Sequence, residues 1–519
     1  MNYAELFRVT LPETVLEIAA LLVLVVDLAF LRKAALSARA GVAALLGVAG
    51  CAAALWMIPP SPGGLAFNGN ILLATGGYTT VAQIAILILT ALTLLLLADS
   101  GFTRHVGEYV AVVLMAAAGG MIIAGAQDLL VIFIGLELLS LGLYVLTAFA
   151  KSSGKSAEAA MKYYLFGGMS AAFLLFGFSY LYGLSGSTSL PRVIYSVNNA
   201  SAQGGGPLLA VALVMIAAGL GFKVAAAPFH LWAPDTYEGA PAPAAAFIAS
   251  VSKVASFALL ISISYAALNY LRVLLQEFPP ADGHSTASIV LSSVPGPPPH
   301  VSLSFFYGWT LILTVLAVAS MIFGNLAALV QVSVRRLLAY SAVAHAGYIL
   351  LGLAFFSWGN RSAQAILYYV LTYGLTTVGA FGVVGVVERA TGSDKMDAFL
   401  GLHKRNPLLA AVLLVLFLSL AGIPPLVGFW AKFNLFAAVL STSLGHPLPL
   451  VLVALAVAFS AVSLYYYLQV LKRAYVQAPV DESRISVHPV TMFVLLLVTA
   501  GVVVLGCFPA LLQGWIASF

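Results

Sequence analysis

The chain has 519 residues, of which 62% are hydrophobic and only 8% charged, where a soluble domain carries about 25% charged residues. That deficit excludes a soluble globular protein and leaves a membrane protein. The net charge of +5 fits loop charges that set membrane orientation better than it fits nucleic-acid binding.

In chain order, apolar stretches of about 20 residues, enough to cross a hydrocarbon layer of roughly 30 Å, recur at 11–31, 34–57, 78–98, 108–126, 129–149, 159–184, 207–229, 241–266, 304–330, 337–356, 362–387, 407–441, 447–470 and 489–516. Barrel strands would alternate in short segments, and these stretches do not. The expected fold is an all-α polytopic membrane protein with about fourteen transmembrane helices. Glu13, Glu17 and Asp27 interrupt the first run, which lacks a strongly basic flank and a cleavage motif, so it reads as a spanning helix and not a signal peptide. Headgroup contact is the simpler expectation for Glu13 and Asp27, near the ends of that run; a polar stripe facing a neighbouring subunit is the other. Cys51 and Cys507 have no metal-ligand spacing and read as small core residues.

The basic residues test the span count. Connections after odd-numbered spans carry fifteen of them, including Arg32, Lys33, Arg39, Lys155, Arg335 and Arg336, while the other side carries only Arg8, Arg192, Arg272 and Arg361. Such a bias puts both termini on the periplasmic side. The longest connection, 267–303, is rich in Pro, Ser and Gly and reads as an external surface loop. The charged stretch 388–405 reads as a cytoplasmic loop, solvated or touching a partner.

Four lysines remain, Lys162, Lys223, Lys253 and Lys432, and Glu137 joins them within the spans. A charge at the centre of a membrane helix costs about 2.5–3.5 kcal/mol on insertion scales, so several together need a reason. Lys162, close to the 151–158 connection, can snorkel to the interface. A buried pair can serve as structural glue. For the other four, titration is the favoured reading: burial disfavours the charged form, so a neighbouring charge can move a proton on or off such a group. Pro228 follows Lys223 by five residues, and Pro424 and Pro425 precede Lys432 by eight and seven. Proline breaks the helical hydrogen-bond ladder, and irregular backbone at membrane depth is tolerated only inside protein or along water. Two interrupted helices, each with a lysine beside the break, are expected along an ion path; a plain proline kink is the competing reading. His230 and His345 fall in or beside apolar spans and suit either proton relay or packing. No Gly-rich phosphate loop, flavin motif, cysteine cluster or haem-ligand pair is visible. The chain therefore carries no expected redox centre, cofactor site or metal site.

Five stretches together resemble a known family: DLLVIFIGLELLSLGLYVL (128–146), MKYYLFGG (161–168), FKVAAAPFHLWAPDTYEGAPAP (222–243), RRLLAYSAVAHAGYILLG (335–352) and GIPPLVGFWAKF (422–433). They are similar to the antiporter-like proton-pumping membrane subunits of respiratory complex I, NADH:quinone oxidoreductase, which are related to subunits of multisubunit cation/proton antiporters. APDTYEGAPAP and the lysine of GFWAKF resemble the N type within that family. The chain stops soon after the fourteenth span, so the long lateral helix of another type is not expected. The resemblance implies two inverted five-helix repeats with broken helices 7 and 12. It divides the chain into N-terminal helices 1–107, a first repeat 108–270, an external loop 271–303, a second repeat 304–472 and a C-terminal helix 473–519. It also implies that Glu137 pairs with Lys223, that Lys253 links inward and Lys432 lies towards the periplasmic exit. His230 and His345 would lie on a hydrated axis, with Lys162 an extra station. FMN, iron–sulfur clusters and quinone would belong to partner subunits, the partners being other membrane-arm subunits, antiporter-like and small, and the location a bacterial inner membrane. A sodium/proton antiporter subunit without a redox partner and a passive structural subunit are the alternatives.

Overall fold

The first span begins with a short helix, α1 (Tyr3–Val9), and continues as α2 (Leu11–Val25), which runs on through wider turns to Phe30. A computed structural model describes residues 3–59, 62–67, 70–99, 101–277, 303–356, 361–442, 447–479 and 481–519. Most of the expected external loop, 278–302, lies outside the described residues. Glu13 and Asp27 do not face headgroups. Glu13 is buried and accepts from Gln83 Nε2 at 3.2 Å; Asp27, 1% exposed, takes both Nε and Nη2 of Arg39 at 2.8 and 2.6 Å. The cost of a buried charge explains the difference, since it is met only by a paired, hydrogen-bonded partner, and Arg39 is supplied by the next helix, α3 (Leu36–Met57).

An antiparallel hairpin, β1 (Gly63–Phe67) and β2 (Asn70–Thr75), then interrupts the helical pattern; the apolar spacing gave no sign of it. Next come α4 (Gly77–Leu95), α5 (Val106–Gly125), α6 (Leu129–Thr147) and α7 (Gly154–Ser185). A short surface helix α8 (Leu190–Ala200) precedes α9 (Gly206–Val224) and α10 (Trp232–Gly239), which are the two parts of the seventh span. The eighth is α11 (Ala242–Glu277). The second half holds α12 (Ser304–Leu329), α13 (Val334–Ala354), α14 (Arg361–Thr391), the single turn α15 (Leu402–Arg405), α16 (Pro407–Ala421), α17 (Val427–Leu440) and α18 (Pro447–Tyr475). The chain closes with α19 (Pro489–Cys507) and α20 (Pro509–Ala517). Cys51 is buried, but Cys507 is exposed at the end of α19, so only the first is a core residue.

Among the described residues, twelve helices are long and apolar enough to cross a bilayer. At about 1.5 Å per residue, α16 and α17 are each too short to cross alone, and together they form one interrupted span; with α2 the crossings number fourteen. Spans 4–8 and 9–13 form two five-helix units, each broken in its fourth member. Five is odd, so the second unit enters the membrane from the opposite face and is inverted. The joints repeat as well. Asp128 caps α6, Leu130 N donating to its Oδ1 at 2.9 Å, and bridges to Ser189. Ser333 caps α13, Arg336 N donating to its Oγ at 3.2 Å, and bridges to Lys395. The stretch 388–405 is not a free loop: Arg335 pairs with Glu388, and buried Arg405 donates to the Ser483 carbonyl at 3.1 Å. The helices with the most enclosed apolar stretches are α11, α13 and α14, and these form the interior row on which the site is built.

Candidate functional site

The last four carbonyls of any helix lack intrahelical donors, and a helix broken in mid-membrane exposes them where water is scarce. The α9 break begins at Ala225, whose φ of 57° makes it the one non-glycine residue in left-handed backbone among the described residues. Ala225 N and Ala226 N close the turn on the Phe222 and Gly221 carbonyls, at 3.0 and 2.8 Å. The Val224 carbonyl accepts instead from Lys253 Nζ of α11, at 3.2 Å, and the same ammonium reaches the Ala342 carbonyl of α13 at 2.7 Å. The second break repeats the device. Gly422, at φ 89°, ends α16, and Lys432 Nζ of α17 reaches back to the Leu420 and Ala421 carbonyls at 3.2 and 2.9 Å, and to Ser460 Oγ at 2.8 Å. In both places a cation meets the negative end of a half-helix, where the dipole favours it by up to ~2 kcal/mol.

Lys223 is held differently. It lies in the last turn of α9, 8% exposed, and donates to Ser140 Oγ of α6 at 2.5 Å; Ser140 in turn donates to the Leu136 carbonyl. Glu137 is partly buried one turn before Ser140 on the same helix, and its charge acts on Lys223. The two form no ion pair within 4 Å; the ammonium is hydrogen-bonded to the serine hydroxyl instead.

His345 joins the two capped lysines. It is buried on α13, its Nδ1 2.8 Å from Tyr369 Oη, and both the Lys253 and Lys432 charges act on it. The Tyr373 ring lies 4.9 Å from the His345 ring and 5.7 Å from Lys253 Nζ; the Tyr348 ring lies 5.5 Å from Lys432 Nζ. A cavity of about 10 Å³ between His345, Tyr369, Thr372 and Gly428 has the room one water needs. His230 lies in the first break with its Nδ1 buried and without a hydrogen-bond partner. Of the prolines, Pro228 lies within the first break, and Pro424 and Pro425 within the second; the Ala227–Pro228 and Pro424–Pro425 bonds are cis.

Lys162 lies apart from this row, 41% exposed, paired with Glu158 at 2.7 Å and Asp235 at 2.8 Å. Asp235 also takes Arg336 at 2.6 Å, Arg336 reaches Glu238 at 3.1 Å, and Glu238 takes Lys155 at 3.1 Å. This ladder ties α10 to α7 and α13. Beside it, buried Arg335 donates to the Glu238 and Ala240 carbonyls at 3.3 and 2.5 Å, so α10 also ends on a cation. Sequence reasoning missed Ser140, Ser460, Asp235, Glu238 and the burial of Arg335. Only Ser140 left a signal, standing three residues after Glu137 on one helix face.

The chain matches the transmembrane family described as NADH:quinone oxidoreductase/Mrp antiporter over residues 126–276 and 300–460. It is 45% identical to NADH-quinone oxidoreductase subunit N 2 of Acidobacterium capsulatum, with 99% of both chains covered. Among solved structures, a chain of respiratory complex I from Thermus thermophilus superposes with a TM-score of 0.73 at 31% identity, covering 97% of this chain and 98% of that one. A chain of the archaeal membrane-bound sulfane sulfur reductase superposes with a TM-score of 0.78 at 22% identity, over 99% of this chain and 96% of that one, a likeness of fold.

Proposed function

The chain belongs to the NADH:quinone oxidoreductase/Mrp antiporter transmembrane family, and on that premise we propose that it moves protons through the row Lys223, Lys253, His345 and Lys432. It is an antiporter-like subunit of the membrane arm of a NADH:quinone oxidoreductase complex, a multi-pass membrane protein whose partners are the other membrane-arm subunits. Electron transfer belongs to partner subunits, with FMN, iron–sulfur clusters and quinone there and none in this chain. The location is a bacterial inner membrane with both termini periplasmic, the reading that the basic-residue bias supports.

The observation that carries the proposal is the repeated device at the two breaks, where Lys253 holds the Val224 carbonyl and Lys432 the Leu420 and Ala421 carbonyls. Each ammonium is kept at membrane depth without a carboxylate, and His345 feels both. The device supports a division at residues 108–270 and 304–472 into two half-paths that meet at His345. Glu137 is the control point. When its charge is removed, Lys223 keeps only a neutral hydroxyl, its charged form is disfavoured, and its proton passes towards Lys253, which bonds the very next residue. Tyr144 Oη, His230 Nδ1 and Ser256 Oγ are buried without protein partners. An unmet buried polar atom costs about 1–3 kcal/mol, so bridging water is expected beside them. Lys162, in its exposed ion pairs with Glu158 and Asp235, stands apart from the row and ties α10 to α7.

The test is proton uptake per electron in membrane vesicles carrying the intact complex. Lys223→Ala and Lys253→Met are each expected to lose most redox-driven pumping. Wild-type pumping in Lys223→Ala overturns the assignment.

A further inference from the structure

The elbow that joins α10 to α11 roofs a cavity of about 320 Å³, which Glu238 lines together with Arg335 of α13, Glu388 of α14 and Thr491 of α19. Two residues of its wall carry unmet polar atoms. Arg335 and Thr491 are 3% and 2% exposed, yet Arg335 Nε and Thr491 Oγ1 have no hydrogen-bond partner. Native interiors leave few polar atoms unmet unless water meets them, and the two residues that carry these atoms, from different helices, line one cavity.

The wall is also charged on both sides. Lys155, Arg335 and Arg389 face Glu238, Glu388 and Asp394, a balance that suits water and proton traffic and would not select an anion or a metal cation. All three basic residues fall on the face that the charge bias makes cytoplasmic. Behind the wall, Tyr237 is fully buried with an unpartnered hydroxyl, and its ring meets Phe381 at 5.5 Å. Tyr373 is near enough to act on Tyr237 electrostatically, and Tyr373 is the ring beside Lys253.

We propose that this cavity is the water-filled mouth through which protons are taken up from the cytoplasm, with Glu388 as the first acceptor and Lys253 as the destination. The step rests on the proton-pumping reading above. A proton from cytoplasmic water bonds to a Glu388 carboxylate oxygen, and the ion pair to Arg335 opens. Arg335 stays charged and stays in place, because the Glu238 and Ala240 carbonyls still hold it. Glu388 then releases the proton to cavity water on the Tyr237 side and regains its charge and its partner.

Two measurements on the intact complex in inside-out vesicles test this. With Cys51→Ala and Cys507→Ser removing the free thiols, Thr491→Cys is expected to react with a membrane-impermeant cationic methanethiosulfonate at least ten-fold faster than Thr90→Cys. Thr90 is equally buried, but its hydroxyl is already used on the Ile86 carbonyl. Equal, slow labelling overturns the water-filled mouth, without reference to pumping. In the second measurement, Glu388→Gln is expected to lower protons moved per electron several-fold, with Glu388→Asp restoring most of it; wild-type pumping in Glu388→Gln overturns the acceptor role. Lys253→Met serves as the reference. Loss of pumping there with a normal Glu388→Gln sinks this proposal alone, whereas normal pumping in Lys253→Met sinks the parent reading.

Discussion

Lys223 has a single hydroxyl as its hydrogen-bond partner, Ser140, while Lys253 holds two backbone carbonyls and Lys432 two carbonyls and a hydroxyl. A hydrogen bond to a charged group contributes about 1.5–3 kcal/mol, so removing the serine costs Lys223 its whole set and Lys432 a third of its set. Ser140→Ala is therefore expected to cut pumping several-fold, with Ser140→Thr restoring it. Ser460→Ala is expected to cost less than two-fold. Proton uptake per electron in vesicles measures both, and equal effects would contradict this ranking. The lysines themselves were visible in the sequence because charge is rare in apolar runs. Their partners were not, since backbone carbonyls carry no residue signature and Ser460 lies 28 residues from Lys432. Arg335 was hidden by its neighbour: two adjacent arginines look like one loop pair, yet the first is buried and the second half-exposed.

At the scale of the element, the breaks are set by left-handed residues as much as by proline. The first opens at Ala225, three residues before Pro228, and the second at Gly422, two before Pro424. A Cβ added at Gly422 would lie 3.0 Å from Lys432 Cδ and 3.2 Å from its Nζ, on backbone at φ 89°. Gly422→Ala combines a left-handed penalty of about 1–2 kcal/mol with displacement of the ammonium. It is expected to lower the thermal midpoint of the purified complex and to reduce pumping, both read on one preparation. Prolines made both interruptions legible. The capping geometry was not, because it depends on which helix brings a lysine to the exposed carbonyls.

For the whole molecule, Asp128 and Ser333 cap corresponding helices of the two inverted units. Removing such a cap costs about 1 kcal/mol, and distant sites add. Asp128→Ala and Ser333→Ala are expected to destabilise singly by similar amounts and additively together, as measured by thermal unfolding in detergent; marked non-additivity would mean that the two units do not melt independently at these joints. Span number followed from apolar length, a property of the sequence, whereas the two inverted repeats were implied by the family resemblance and showed in the residues only as paired lysine–proline breaks. The hairpin β1–β2, the Asp27–Arg39 pair and the ladder from Lys155 to Lys162 depend on which surfaces meet, and short local patterns do not encode that.

The way the lysines are held has a further effect on control. A peptide carbonyl does not gain or lose a proton in the physiological range, so the carbonyl share of the wells at Lys253 and Lys432 stays fixed. The well at Lys223 depends instead on a side-chain carboxylate, Glu137, whose charge acts on it. On the proposed function, the row is a line of fixed resistors with one variable resistor at its end. On that reading, a signal from elsewhere in the assembly that reaches this carboxylate changes the Lys223 end of the row, while the supply to Lys253 is set at the cytoplasmic mouth.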